Sequence, residues 1–409
     1  MFITLFSLTV NANDRIVQLP GLKKITDSEY AGYTSAGKND QLFYWFVASH
    51  KPGTPIIVWT NGGPGYSSMY GFFNENGPYE VTASLSLKRR QHAWSHFTNY
   101  LVIDQPAGIG LSRIKGNHLP ENREVGIDQY YHALYSFLEQ HPAYQNSPII
   151  LAGESYAGTY LPLLTEKILS ENKKTPFKIN IKGLILVSPW IDPAIQISQD
   201  TTYALYHGLI TRAQKTKIDG VYQHCKTLIK NHQGKAANQV CGEVGDQIQL
   251  ISHIQLANIA YVNPMDNRLL DNYLRQKSVL KALHAARSEK FSCWSDGVNQ
   301  KYRNEIQLSV QPLYNQLLSR SFHILIVSGL NDAKDTNYLA IQQLIDSFNW
   351  PLKNAYLAAK VDYVDSVGYL KSGGGLTWVK VLNAGHMTSQ DQPKVDRVVK
   401  SFVGQYQSH

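Results

Sequence analysis

The feature that most limits the possible folds is a set of short runs that are apolar on consecutive residues instead of on alternate ones. A strand with this pattern is buried on both faces, as in a parallel or mixed sheet covered by helices. Helical patterns lie between the runs, so strand and helix alternate along the chain. We therefore predict an α/β fold with a central, mostly parallel sheet. The clearest runs are residues 55–60, 100–104, 148–152, 183–188, 322–328 and 376–382.

Three segments between or after these runs are predicted to be helices. Residues 127–140 carry apolar side chains at helical spacing. Residues 157–172 follow a predicted strand directly, and residues 393–406 begin with proline, which is tolerated in the first turn of a helix. These helices would cover the faces of the sheet.

One junction between a strand and a helix has the pattern of a nucleophile elbow. The segment Gly153-Glu154-Ser155-Tyr156-Ala157-Gly158 lies between the third run and the second predicted helix. A sharp turn crowds the positions two residues before and after the serine, and small residues stand at both. The turn would expose the Ser155 hydroxyl, and free backbone N–H groups at the helix start would favour a developing anion.

A nucleophilic serine needs a base, and the base needs a group that orients it. In the α/β-hydrolase fold these follow the serine as an acid and then a histidine, each after a later strand. Asp332 and His386 occupy such post-strand positions. The alternative for Asp332 is a turn aspartate, with Asp335 as a competing acid, and His386 is one of 14 histidines.

Four segments of the chain resemble the serine carboxypeptidase family. Residues 59–68 (WTNGGPGYSS) are similar to its W-x-N-G-G-P-G-C-S-S, and residues 104–112 (DQPAGIGLS) to its D-Q-P-x-G-x-G-x-S. Residues 153–158 match its G-E-S-Y-A-G, and residues 385–393 resemble G-H-M-x-x-x-D-x-P. The resemblance spans nearly the whole chain and implies an α/β-hydrolase fold and C-terminal peptide cleavage.

The resemblance also implies roles for individual residues. Ser155, Asp332 and His386 match the family's triad, and the backbone N–H groups of Gly63 and Tyr156 match its oxyanion hole.

Four further residues match the group that recognises the free carboxylate of the substrate: Asn61, Gly62, Glu75 and Glu154. Two ionised glutamates would repel that carboxylate, but a shared proton makes one of them a hydrogen-bond donor. We therefore expect an acidic pH optimum.

The three cysteines are Cys225, Cys241 and Cys293. Cys225 and Cys241 are close enough in sequence to close a small loop, and a disulfide there would contribute about 3 kcal/mol. The resemblance aligns Tyr66 with a position where the family usually has a cysteine. In the family that cysteine pairs with a downstream one, and Cys293 resembles this downstream partner. That bridge cannot form, so Cys293 is expected to be free.

The middle of the chain, residues 190–295, is polar and helix-prone and lacks strong strand runs. We predict a mainly helical cap inserted between two parts of the catalytic core, residues 13–189 and 296–409. A separate domain is the alternative, but core-type strands resume at Phe322 and favour the cap.

The termini and the composition bear on partners and location. Residues 1–12 are mostly apolar and end in small residues, which predicts a signal peptide and export to a secreted, periplasmic or lysosomal/vacuolar location. No later apolar stretch is long enough for a membrane span.

The net charge of +8 is spread along the chain without basic clusters, which disfavours nucleic-acid binding. No metal site or cofactor is predicted, and residues 61–65 lack the Lys-Ser/Thr of a phosphate loop.

The leading hypothesis is therefore a serine carboxypeptidase acting on peptides or proteins with a free C-terminus. Acyl transfer to an alcohol is the second hypothesis, because the same triad serves both reactions. A non-enzymatic binding or protective protein is the third, and failure to react with a fluorophosphonate probe would favour it. Neither the preferred residues at the cleaved bond nor the oligomeric state follows from the sequence.

Overall fold

The computed structural model describes residues 14–37, 40–49, 53–114, 116, 118–262, 266–286 and 291–407. The predicted signal peptide, residues 1–12, lies outside the described residues. Within them, no helix combines the length and the apolar character that a membrane crossing requires.

The core is a ten-stranded sheet with the order β1-β2-β6-β3-β7-β8-β9-β12-β11-β10, and β4 and β5 form a separate hairpin. The six strands from β6 to β12 in this order are parallel, and antiparallel strands flank them at both edges. The strands are β1 Ser28–Ser35, β2 Gln41–Ala48, β3 Ile56–Thr60, β4 Tyr79–Val81, β5 Leu87–Arg89, β6 Asn99–Ile103, β7 Ile149–Glu154, β8 Ile181–Val187, β9 His323–Gly329, β10 Val361–Val364, β11 Gly368–Gly373 and β12 Leu376–Val381.

The six parallel strands are the six predicted apolar runs, each within two residues at either end. Strand β3 shows why these runs are apolar throughout. Ile56 and Val58 face one hydrophobic cluster, while Ile57 and Trp59 face the other on the opposite side of the sheet. The edge strands β10 and β11 were not predicted, because β10 is largely exposed and carries no apolar run.

Helices cover both faces of the sheet. The α-helices are α1 Met69–Asn74, α2 Arg123–Gln140, α3 Ala157–Glu171, α4 Pro193–Gln196, α5 Asp200–Tyr206, α6 Arg212–Lys230, α7 Gly234–Ser252, α8 Arg268–Leu274, α9 Lys277–Ala282, α10 Asp296–Tyr302, α11 Gln311–Ser319, α12 Tyr338–Ser347, α13 Lys353–Ala358, α14 Thr388–Asp391 and α15 Asp396–Gly404. Helices α2, α3, α11 and α12 pack on one face, and α1, α8, α9 and α15 on the other. The architecture is the α/β-hydrolase fold.

The predicted helices are present with shifted ends. Helix α2 begins at Arg123 because the Asn122 side chain accepts a hydrogen bond from the Val125 N–H at 2.9 Å and caps the first turn. The predicted C-terminal helix is divided into a 3-10 turn, Pro393–Val395, and helix α15.

The segment between β8 and β9 contains helices α4 to α11 and, among its described residues, no strand. A disulfide joins Cys225 on α6 to Cys241 on α7, and Cys293 is free and buried. The disulfide joins the two longest helices of the insertion.

Candidate active site

The turn between β7 and α3 carries Ser155 in a left-handed backbone conformation, with φ of 59°. Such a conformation is strained for a residue other than glycine, and it is the geometry of a nucleophile elbow. A Cβ atom at Gly153 would lie only 2.5 Å from both the Thr60 carbonyl oxygen and the Ala157 Cβ. The tight turn therefore needs small residues where the sequence has them.

The loops after β9 and β12 bring Asp332 and His386 together. Nδ1 of His386 lies 2.9 Å from Oδ2 of Asp332, and both side chains are almost fully buried, at 4% and 0% exposed. This bond leaves Nε2 of His386 as the proton acceptor. The competing acid, Asp335, makes no hydrogen bond to His386 among those of the described residues.

A threonine that the sequence did not indicate supports this pair. The Thr336 hydroxyl donates to Oδ2 of Asp332 at 2.8 Å and lies 3.0 Å from Nδ1 of His386. The Lys334 N–H donates to the other carboxylate oxygen at 2.9 Å. These bonds fix the orientation of the Asp332 carboxylate. The role of Thr336 could not be predicted from the sequence, because a hydroxyl residue four positions after an aspartate is not a recognisable motif.

A cavity of about 190 Å³ connects the predicted site residues. Ser155 and His386 both line it, so the structure brings the nucleophile and the base to one space. Gly63, Gly62, Asn61 and Glu154 line the same cavity. Asp332 lies behind His386 and does not line it.

The glycine loop after β3 packs against the elbow. A Cβ atom at Gly62 would overlap the backbone nitrogen of Tyr156, and Gly63 has a φ of 111° that favours glycine. Gly63, Ser155 and Tyr156 also line an adjoining cavity of about 220 Å³. The predicted oxyanion-hole residues, Gly63 and Tyr156, therefore line one cavity together with Ser155.

The loop that carries these glycines is held by Asp104, a buried residue at the end of β6. Its carboxylate accepts hydrogen bonds from the Ser67 hydroxyl at 2.7 Å, the Ser68 N–H at 2.8 Å and the Leu111 N–H at 3.0 Å. Burial raises the pKa of Asp104 to about 6, and these hydrogen bonds oppose the rise. The sequence showed Asp104 only as part of a motif.

In the predicted carboxylate-binding group, hydrogen bonds fix Asn61 and connect it to the buried Glu75. The Asn61 amide oxygen accepts from the Trp59 indole and from the Gly71 N–H, both at 2.9 Å, so its orientation is determined. Its amide nitrogen donates to Oε1 of Glu75 at 2.9 Å. Glu75 is buried behind the cavity and does not line it.

Glu75 and Glu154 are both buried, and each affects the pKa of the other. Burial raises the pKa of Glu75 above its ordinary value. Burial, the charge of Glu75 and the hydrogen bond to it raise the pKa of Glu154 well above its ordinary value. The pair therefore retains a proton to higher pH than an isolated glutamate would.

The far wall of the cavity is aromatic. The Tyr66 ring lies 4.9 Å from the Trp294 ring and 5.9 Å from the Tyr70 ring. Tyr66 pairs through its backbone with Trp294, the neighbour of Cys293. Tyr66, which the resemblance aligns with a cysteine, is therefore part of an aromatic contact.

Comparison with known proteins identifies the family. A model of the serine carboxypeptidase family matches residues 20–405. The chain belongs to the serine carboxypeptidase family. Venom serine carboxypeptidase of Apis mellifera is 32% identical, covering 93% of this chain and 85% of the relative. Serine carboxypeptidase 3 of Hordeum vulgare is 31% identical over 93% of this chain and 79% of its own length.

A solved structure with the same fold is that of Kex1(delta)p, a prohormone-processing carboxypeptidase from Saccharomyces cerevisiae. It superposes with a TM-score of 0.86, covers 98% of this chain and 96% of its own, and is 23% identical. This serine carboxypeptidase therefore has the α/β-hydrolase fold, as the sequence predicted.

Proposed function

We propose that this serine carboxypeptidase cleaves the last peptide bond of its substrates with Ser155, His386 and Asp332 as its triad. The observation that carries the proposal is the 2.9 Å bond between Asp332 and His386, because it directs the free nitrogen of His386 towards a cavity shared with Ser155.

In this mechanism, His386 removes the proton of the Ser155 hydroxyl as its oxygen attacks the carbonyl carbon of the last peptide bond. The N–H groups of Gly63 and Tyr156 stabilise the oxyanion that forms. The C–N bond breaks, His386 gives its proton to the departing amine, and an acyl-enzyme remains. Water, deprotonated by His386, then releases the shortened peptide.

The carboxylate-binding group explains why cleavage is terminal. We propose that the Asn61 amide, the Gly62 N–H and the proton shared by Glu75 and Glu154 bind the carboxylate of the last residue. An internal peptide bond offers no such carboxylate, and its continuing chain would collide with the buried glutamates. The leaving residue's side chain then lies against the aromatic wall of Tyr66, Tyr70 and Trp294.

Two further assignments are part of the proposal. Residues 190–295 act as a cap over the cleft, between core parts 13–189 and 296–409. The support is that α7 lines a cavity that Ser155 also lines. Export through residues 1–12 would give the Cys225–Cys241 disulfide the oxidising surroundings in which such bonds persist.

The experiment is a timed digest of a peptide library, read by mass spectrometry, with a Ser155→Ala variant. We expect the wild type to remove single residues from the C-terminus and to leave amidated peptides intact at that end. Ser155→Ala should lose at least about a thousandfold in kcat, together with fluorophosphonate labelling. Ser319→Ala, an exposed serine on α11, is the matched control. Internal cleavage, or an active Ser155→Ala, would reject the assignment.

A further inference from the structure

A short segment after α7 crosses both loops that carry the acid and the base. We call residues 255–260 the strap. On the acid side, the Leu256 carbonyl accepts from the Ala333 N–H at 2.8 Å, and the Ile259 N–H donates to the Asn331 carbonyl at 3.0 Å. The strap therefore pairs with the residues on either side of Asp332.

On the base side, the strap contacts the His386 loop twice. The His386 N–H donates to the Ala257 carbonyl at 2.6 Å. The Asn258 amide donates to Oδ2 of Asp391 at 2.9 Å, and the same oxygen accepts from the Gly385 N–H at 2.8 Å. Asp391 thus connects Asn258 to the residue that precedes His386.

Asn258 is suited to link the strap to the His386 loop because both the nitrogen and the oxygen of its amide group form hydrogen bonds. It is 2% exposed, and its amide oxygen accepts from the Ala260 N–H at 2.9 Å, which holds the strap's turn. A Cβ atom at Gly385 would lie 2.5 Å from the Asn258 Cβ, so the strap and the His386 loop are in close contact. A displacement of the strap would therefore displace the His386 loop as well.

The strap follows a helix that lines the site. Helix α7 supplies Cys241 and Gly242 to a cavity that Ser155 also lines, and it ends at Ser252, shortly before the strap. The strap therefore connects this helix to both loops of the proposed triad.

We propose that Asn258 is a positioning residue: its hydrogen bond to Asp391 aligns His386 with Ser155 and ties the cap to the triad. The inference rests on the proposed triad. Asn258 does not touch the reacting atoms, but catalysis is sensitive to small displacements, since about 1 Å at the reacting groups can cost about a hundredfold in rate.

The test compares variants that break the link with one that preserves it. Asn258→Asp places a second carboxylate against Asp391, and Asn258→Ser removes the link while its hydroxyl can still accept from Ala260. Asp391→Asn removes the charge at 391, but its amide oxygen can still accept from both Asn258 and Gly385. This conservative variant therefore keeps the link.

We expect Asn258→Asp to lower kcat by about thirtyfold to a hundredfold, Asn258→Ser by about tenfold, and both to leave KM within about threefold. Asp391→Asn should keep kcat within about fivefold of wild type, and in every variant the rate of fluorophosphonate labelling should follow kcat. Asn146→Asp, an exposed change of the same kind before β7, is the control. All assays are run well below each variant's melting temperature.

Three results would overturn the inference. One is a lower melting temperature in Asn258→Asp and Asn258→Ser with kcat unchanged, which assigns the strap a purely structural role. Another is a folded Asp391→Asn variant that is as slow as Asn258→Asp, because its link to Asn258 is preserved. Lack of labelling in the wild type would instead reject the proposed triad, and the inference with it.

Discussion

Replacing Glu154 with glutamine should make substrate binding independent of pH. In the wild type, the proton shared by the pair makes one carboxyl group a donor to the substrate's carboxylate. As pH rises the pair loses this proton, and two ionised glutamates then repel the substrate. The sign follows directly: binding is strong at low pH and weakens as pH rises.

The size of the effect follows from the bond that is lost. A hydrogen bond to a charged group contributes about 1.5–3 kcal/mol, which corresponds to about tenfold to 150-fold in KM. Glutamine keeps two N–H donors at every pH, one for Glu75 and one for the substrate. Glu154→Gln should therefore stay within about threefold of wild type near pH 5 and exceed it in kcat/KM by about tenfold near pH 8.

The assay is a kcat/KM profile from about pH 4.5 to 8.5 on a blocked dipeptide and on the matching peptide ester, which lacks the carboxylate. The ester profile reports the triad alone. Glu139→Gln, the same change at an exposed position on α2, is the control. If Glu154→Gln loses activity towards the peptide with rising pH as steeply as the wild type, the shared-proton account is wrong. An equal decline towards the ester would refute it as well.

Three further predictions test other parts of the molecule. Thr336→Val removes the hydroxyl that holds the triad carboxylate, and kcat should fall by about fivefold to tenfold with KM unchanged in steady-state assays. Glu29, fully buried, has a pKa raised by burial to about 7, so the stability it provides in its neutral form at low pH is lost as pH rises through that value. Relative to the wild type, the free energy of unfolding of Glu29→Gln, measured with urea, should therefore rise by about 3 kcal/mol between pH 4 and pH 8. A difference between the two proteins that does not change with pH would contradict this. Tyr66→Ala should reduce kcat/KM for a C-terminal phenylalanine about fivefold more than for a C-terminal alanine, and equal losses would place the leaving side chain elsewhere.

The parts of the fold that depend on local pattern could be predicted from the sequence. The six parallel strands were recognisable because burial on both faces makes a run apolar on consecutive residues, as at residues 56–59. Strands β10 and β11 were not, because β10 is exposed and its residues satisfy no pattern of burial. The elbow around Ser155 was also local, since a tight turn needs small residues at fixed distances from the serine.

What the sequence alone determined about this carboxypeptidase is its parallel core, the elbow around Ser155 and the chain order of the proposed triad, because each is specified by neighbours along the chain. Only the tertiary structure decided which groups support them. Asn258 and Asp391 are 133 residues apart, and their contact exists only because the strap folds back over the His386 loop. Likewise, the raised pKa values of Glu75 and Glu154, on which the proposed shared proton rests, depend on the burial of both carboxyl groups, and burial is a property of the packed molecule.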